Sequence, residues 1–440
     1  MSHLKIVLVG GGSVNWTPRI GCDMLLTPSL SGVEFVLYDI NKAASDLMQA
    51  FLQKAARRIG ADVAIVSTDD RREALSGADY VLITISTGGL DAMAHDLVIP
   101  EAFGIYHTVG DTSGPGGWAR LIRNFDVVVA LAKDINRYAP DAMVLNYTNP
   151  MTTLTDVLAR LCRGPVIGLC HGLFENLEFI QRLYGLPSED DIAVQYAGLN
   201  HFFWITQARA GAADVVADLG QRLAMQSFTG IMADLYEGGR TREFATELFR
   251  TTGVFPYLGD RHTCEFFPGI VTNPANLAKY KLIRTRTAER KDGMVAARRR
   301  VAEMVDGEIA PAYLKRTRET AADIIDAHSQ GRVFIDVGNV PNIGQVVNLT
   351  RGLVVETAVR VDRNGFSPLA FGNLPPVVRG FIEPYAELFP MVVDACFRRD
   401  KRLALQALRL DPVCAHLNGE QVVDLGERLL AAHRPFVTAF

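Results

Sequence analysis

The sequence predicts an α/β fold, a Rossmann-type doubly wound sheet followed by a C-terminal α+β domain. Three observations carry this. Short apolar runs alternate with segments of helical periodicity from the first residues onward. The run Lys5-Ile6-Val7-Leu8-Val9 breaks into Gly10-Gly11-Gly12, and the next, Glu34-Phe35-Val36-Leu37-Tyr38, ends in Asp39. At 440 residues the chain exceeds one simple core, so 1–200 is expected to form the nucleotide-binding sheet and 201–440 the substrate and oligomerisation domain.

Composition narrows the function. Hydrophobic residues at 48% and charged residues at 21% are those of an ordinary globular protein. A net charge of −4 gives no electrostatic case for a nucleic-acid or anionic-membrane partner. No apolar run reaches spanning length, and the N-terminus lacks the layout of a signal peptide. Six scattered cysteines make no disulfide framework, so a reducing cytoplasm is expected.

Taken in order, the first strand feeds Gly10, Gly12, Ser13, Val14 and Asn15, a turn suited to a dinucleotide although Asn15 stands where a third small residue is usual. Asp39 is placed to grip ribose hydroxyls, which favours NAD over NADP. A third strand, Asp79 to Thr84, brings Thr84 and a Ser86-Thr87-Gly88-Gly89 turn to the cofactor. Residues 101–124 hold too many glycines and prolines for a helix and are expected to form a long functional loop, ordered by Trp118. The strand after it ends in Asn146 and Asn149, amides able to orient sugar or ribose hydroxyls.

The apolar run Pro165-Val166-Ile167-Gly168-Leu169 then breaks into Cys170-His171, before a helix over 174–184. His201 follows in a similar setting. A thiolate and an imidazole from two loops can share one divalent metal; a buried thiol and a core histidine are the plain alternative. Residues 213–251 read as helices. The segment Phe255 to Pro268 packs Asp260, Arg261, His262 and Glu265 among aromatics, either as an acid–base loop or as a structural one with an ion pair. Charged helices over 275–330, strands at 333–337 and 353–359, and a helical tail from Pro375 complete the chain.

The segments GGGSVNWTP, DTSGPGG, NYTNPM, GLCHG, GLNHFFW, GDRHTCEFFP and NVPNIGQVVNL stand in that order. Their order and spacing resemble glycoside hydrolase family 4, the NAD- and divalent-metal-dependent glycosidases on a lactate/malate-dehydrogenase-like fold. The resemblance implies NAD and Mn²⁺ as cofactors, Cys170 and His201 as metal ligands, and Asn149 on the sugar hydroxyls. It places the base between Tyr257 and Asp260, where Asp260 is expected, with Tyr257 and Asp111 in reserve. It implies hydride removal from C3, loss of the C2 proton, elimination at C1, water addition and return of the hydride, without the usual carboxylate pair. Cys-His-Gly resembles members acting on unphosphorylated α-hexosides and α-hexuronides, with His171, Arg261 and His262 expected at the substrate. Arg261 and His262 can equally pair with Asp111 or Glu265. A homo-dimer or homo-tetramer is expected. The rival readings are an NAD-dependent dehydrogenase of a hydroxyacid or polyol and a non-catalytic NAD sensor, and neither needs Cys170, His201 and Asn149 together.

Overall fold

Lys5–Val9 forms a strand buried on both faces, which is why its sequence is an unbroken apolar run. Its alternate residues feed two cores, Val7 and Val9 on one side and Ile6 and Leu8 on the other. The computed structural model describes residues 4–237, 240–438 and 440. Its strands are β1 (Lys5–Val9), β2 (Val33–Tyr38), β3 (Val63–Thr68), β4 (Tyr80–Ile83), β5 (Met143–Asn146) and β6 (Val166–Gly168), then β7 (Ile192–Leu199), β8 (Phe202–Ala210), β9 (Ala213–Asp214), β10 (Phe255–Pro256), β11 (Phe334–Pro341), β12 (Val354–Asp362) and β13 (Gly365–Pro368).

They make one 13-stranded sheet. The order β3-β2-β1-β4-β5-β6 is parallel throughout and is the doubly wound dinucleotide-binding order. Beyond β6 the sheet continues antiparallel through β11, β12, β7, β8 and β10. One register line crosses both halves: Ile83, Asn146, Gly168, Asn339, Glu356 and Gly198 are successive partners. Thr84, Cys170 and His201 follow closely on this line.

The glycine-rich 101–124 segment differs from expectation. A helix occupies Gly89–Glu101, and another begins inside the glycine run, at Gly114, and continues to Tyr138. Pro115 sits in the first turn, where its missing N–H costs nothing. Gly117 is there for close approach, because a Cβ would lie 2.5 Å from the carbonyl of Thr112. Only 102–113 is left as connection. The 255–268 segment likewise contains short helical turns at Asp260–Thr263 and Cys264–Phe266.

Candidate active site

The nucleotide turn is shaped by contact. Gly10 has φ +93, and a Cβ there would lie 2.7 Å from the Thr84 hydroxyl. The N–H groups of Gly10 and Gly11 both donate to the Tyr38 carbonyl at 2.9 Å. Asp39 accepts from Gly12 N–H at 2.8 Å and Asn41 N–H at 2.9 Å, so its carboxylate stands against the turn. Ser13 accepts from Trp16 N–H at 3.2 Å, Val14 is half-buried and Asn15 exposed. Asn146 is spent internally: it donates to Thr148 O and Thr155 Oγ1 and accepts from Thr148 N–H. It shapes the turn that carries Asn149 instead of reaching toward a cofactor.

Asn149 and Pro150, joined by a cis peptide bond, follow at the end of β5. Asn149 Nδ2 donates to Asp111 Oδ2 at 3.3 Å, and its carbonyl accepts from Arg120 Nε at 3.0 Å. Asp111 also receives the Thr112 hydroxyl at 2.8 Å and lies 3.6 Å from His262 Nδ1. Burial alone would raise Asp111, yet His262 beside it and the Arg120 charge hold it well below its usual range.

His201 lies in the two-residue turn between β7 and β8, with φ 61, a conformation uncommon for a side-chain-bearing residue. Its Nδ1 lies 2.9 Å from Thr112 Oγ1. The Thr112 proton goes to Asp111, so Thr112 accepts from His201 Nδ1–H and leaves Nε2 with a free lone pair. Burial, with His262 adding to it, lowers the His201 pKa well below normal and keeps the imidazole neutral. His262 packs against it with ring centroids 3.9 Å apart and the ring planes tilted by 33°.

Ligand atoms of Asp111, His201 and His262 lie within 4.8 Å of one another, the metal-type group found among the described residues. Cys170 is not in that group. It follows β6, and burial, ahead of the Glu356 charge, pushes its thiol up. A neutral imidazole, an ionised carboxylate and the buried, unpartnered His262 Nδ1 and Asn149 Oδ1 suit a divalent cation. The Cys170 thiol adds a soft donor that such a cation would deprotonate.

Tyr257 packs between these groups, its ring 6.1 Å from His201 and its hydroxyl 2.3 Å from where a Gly259 Cβ would sit. Burial raises its phenol well above normal. Asp260 faces elsewhere. Its two oxygens accept Phe244 N–H at 2.9 Å and Ala245 N–H at 3.0 Å, capping the helix Glu243–Thr252, and burial pushes its carboxyl up to about 7. Arg261 uses Nη2 on the Thr108 carbonyl at 3.1 Å and Thr285 Oγ1 at 2.7 Å, leaves its buried Nε without a partner, and forms no ion pair with Asp111 or Glu265. His171 is exposed, with Nδ1 3.7 Å from Glu319.

Two contributors lie outside the residues expected at the metal, cofactor or sugar, although Glu265 belongs to the ionisable 255–268 segment. Thr112 fixes the His201 tautomer, and the buried Glu265 accepts the N–H groups of Val109 at 2.7 Å and Gly110 at 2.9 Å, aiming the loop that carries Asp111. An acid set between Cys264 and the aromatic pair Phe266-Phe267 is the signal for the latter.

Residues 5–186 match the family model described as family 4 glycosyl hydrolase, and 196–414 match that of its C-terminal domain. The chain belongs to glycosyl hydrolase family 4. Among family 4 proteins, the α-galacturonidase of Bacillus subtilis is 33% identical over 94% of this chain and 94% of its own. The crystal structure of lplD from Bacillus subtilis superposes with TM-score 0.89 at 30% identity, covering 97% of this chain and 100% of that one. A 6-phospho-α-glucosidase from gut microorganisms, solved with NAD and Mn²⁺, shares the fold at TM-score 0.84 and 20% identity over 99% of both chains. Family 4 glycosidases depart from the two-carboxylate scheme and are NAD-dependent.

Proposed function

We propose that this family 4 enzyme is an NAD- and Mn²⁺-dependent glycosidase of unphosphorylated α-hexuronides. The observation that carries it is the junction of Asp111, Asn149, His201 and Tyr257 next to the Gly10–Asp39 nucleotide turn. When bound, NAD supplies and recovers a hydride at C3 while the metal polarises the oxygens on C2 and C3. His201 and Cys170 hold that metal, with Asp111 and His262 beside it. Asn149 orients the hydroxyls, and Asp111, anchored by Thr112, keeps Nδ1 of His201 protonated and its ring fixed. Tyr257 takes the C2 proton on its phenol oxygen, the phenolate being favoured by a dication at its stacked neighbour His201.

An anionic sugar is supported by a cavity of about 560 Å³ lined by Asn15, Trp16, Arg19, His171, Arg290 and Arg300. Among the described residues, none of its three arginines is in an ion pair, so the cavity presents net positive charge, with the Glu319 carboxyl near Arg19 and His171. The α-galacturonidase relative points the same way. The cysteines are unpaired, which fits a reducing cytoplasm, and no described helix is long and apolar enough to cross a membrane. A panel of aryl α-galacturonides, α-glucuronides, α-galactosides and α-glucosides, assayed with NAD, Mn²⁺ and a thiol reductant, tests this. Uronide turnover abolished by EDTA supports it; preference for a neutral hexoside overturns the uronide reading.

A further inference from the structure

Glu356 is a buried carboxyl that the site as described does not use. Glu356 on β12 is 0% exposed, and its Oε2 accepts from Asn200 Nδ2 at 2.8 Å and Asn339 Nδ2 at 3.0 Å. Asn200 immediately precedes His201 in the hairpin turn between β7 and β8. Asn339 pairs with Gly168, two residues before Cys170, with its amide 3.5 Å from the Gly168 carbonyl. A single carboxyl therefore links the segment that carries Cys170 to the segment that carries His201.

The backbone ladder is thin at these places. β11 meets β6 through the single pair Asn339–Gly168, and β12 meets β7 through the two pairs Glu356–Gly198 and Thr357–Ala197. By contrast, β11 and β12 pair continuously from Phe334–Val361 to Pro341–Val354. Two short junctions leave the spacing of the two outer segments weakly set by main-chain hydrogen bonds. The Glu356 links fall at those junctions, and a Cβ at Gly168 would lie 3.0 Å from the Asn339 Cβ, so the packing there is close.

We propose that Glu356 is a positioning residue which, through the amides of Asn200 and Asn339, sets the separation of Cys170 from His201. This rests on the reading of those two residues as metal ligands. Groups that orient ligands are worth about 10–100-fold in metal affinity. Glu356→Gln keeps an oxygen for both amides and puts its NH₂ where Glu356 Oε1 has no partner.

Mn²⁺ is titrated into the purified full chain and free Mn²⁺ is read by electron paramagnetic resonance, with the thiolate-to-cobalt absorption of the Co²⁺ form as a second readout. Glu356→Ala is expected to raise the Mn²⁺ Kd about 10–100-fold and alter the cobalt band, with NAD affinity unchanged, whereas Glu356→Gln stays within about threefold. Wild-type Mn²⁺ affinity in folded Glu356→Ala overturns the proposal, as does a loss in Glu356→Gln as large as in the alanine variant. If Glu356→Ala does not fold, Asn339→Ala decides: a loss of about fivefold or more supports the link, and wild-type affinity overturns it. Cys170→Ser separates the two layers, because wild-type Mn²⁺ binding there overturns the ligand reading and the proposal with it.

Discussion

Asp260→Asn separates a structural carboxylate from a catalytic one. In the native protein its two oxygens take the N–H groups of Phe244 and Ala245 at the start of the helix Glu243–Thr252. Asparagine keeps one acceptor and turns an NH₂ toward the other donor, stranding a buried N–H at about 1–3 kcal/mol. A second effect opposes this. Burial pushes the Asp260 carboxyl up to about 7, so above that pH the native side chain bears a desolvation penalty that the neutral amide avoids. The net destabilisation at pH 8 is therefore expected to be at most about 2 kcal/mol, read as a shift in the urea midpoint. The kcat/KM of the folded variant should stay within about fivefold of wild type, since no group touching the sugar is removed, whereas loss of a general base costs about 10²–10⁴-fold. A variant with a native urea midpoint and a loss of about 10²-fold or more in kcat/KM would refute this reasoning and return the base to Asp260.

Tyr257→Phe should lose about 10²–10⁴-fold in turnover with Mn²⁺ and NAD affinities near wild type; retained turnover moves proton abstraction to Asp111. Gly117→Ala should destabilise the fold by about 1–3 kcal/mol, because its Cβ meets the Thr112 carbonyl at 2.5 Å, and should also weaken Mn²⁺ binding as Thr112 is pushed from His201; an unchanged urea midpoint counts against the close approach. Asp260, Glu319 and Glu356 are each raised to about 7, so the folded state binds more protons than the unfolded one between about pH 4 and 7. The lowered His201 acts the other way below about pH 6.5, so stability of the metal-free protein should fall as pH rises from about 7 to 8. Asp111 and Glu265 are lowered instead, and what they contribute is lost only below the ordinary carboxylate range. A urea midpoint that rises from about pH 7 to 8 contradicts these assignments.

The nucleotide half is legible in sequence because a strand buried on both faces reads as an apolar run, and the residue after each run falls at one edge of the sheet. The helix start at Gly114 is not legible in that way. Glycine propensity argues against a helix, but Gly117 is set by a Thr112 carbonyl that only the folded chain brings close. Asp260 poses a similar problem, since an acid after glycine looks the same whether it meets a sugar or a helix N-terminus, and that helix comes from residues 243–252. His201 is visible as an imidazole near a strand end, while its tautomer depends on Thr112, 89 positions earlier. Glu356 does leave a trace, a lone carboxylate inside the apolar run Leu353-Val354-Val355-Glu356-Thr357-Ala358-Val359.

The central claim is that a transient oxidation at C3 makes the C2 proton removable, so the direct measurement is hydrolysis of an aryl α-galacturonide in deuterated water with NAD and Mn²⁺. Deuterium at C2 of the released sugar, with many turnovers per NAD and no growth of NADH absorbance, is the predicted result. Product that carries no deuterium at C2, or NADH rising mole for mole with product, would contradict the account.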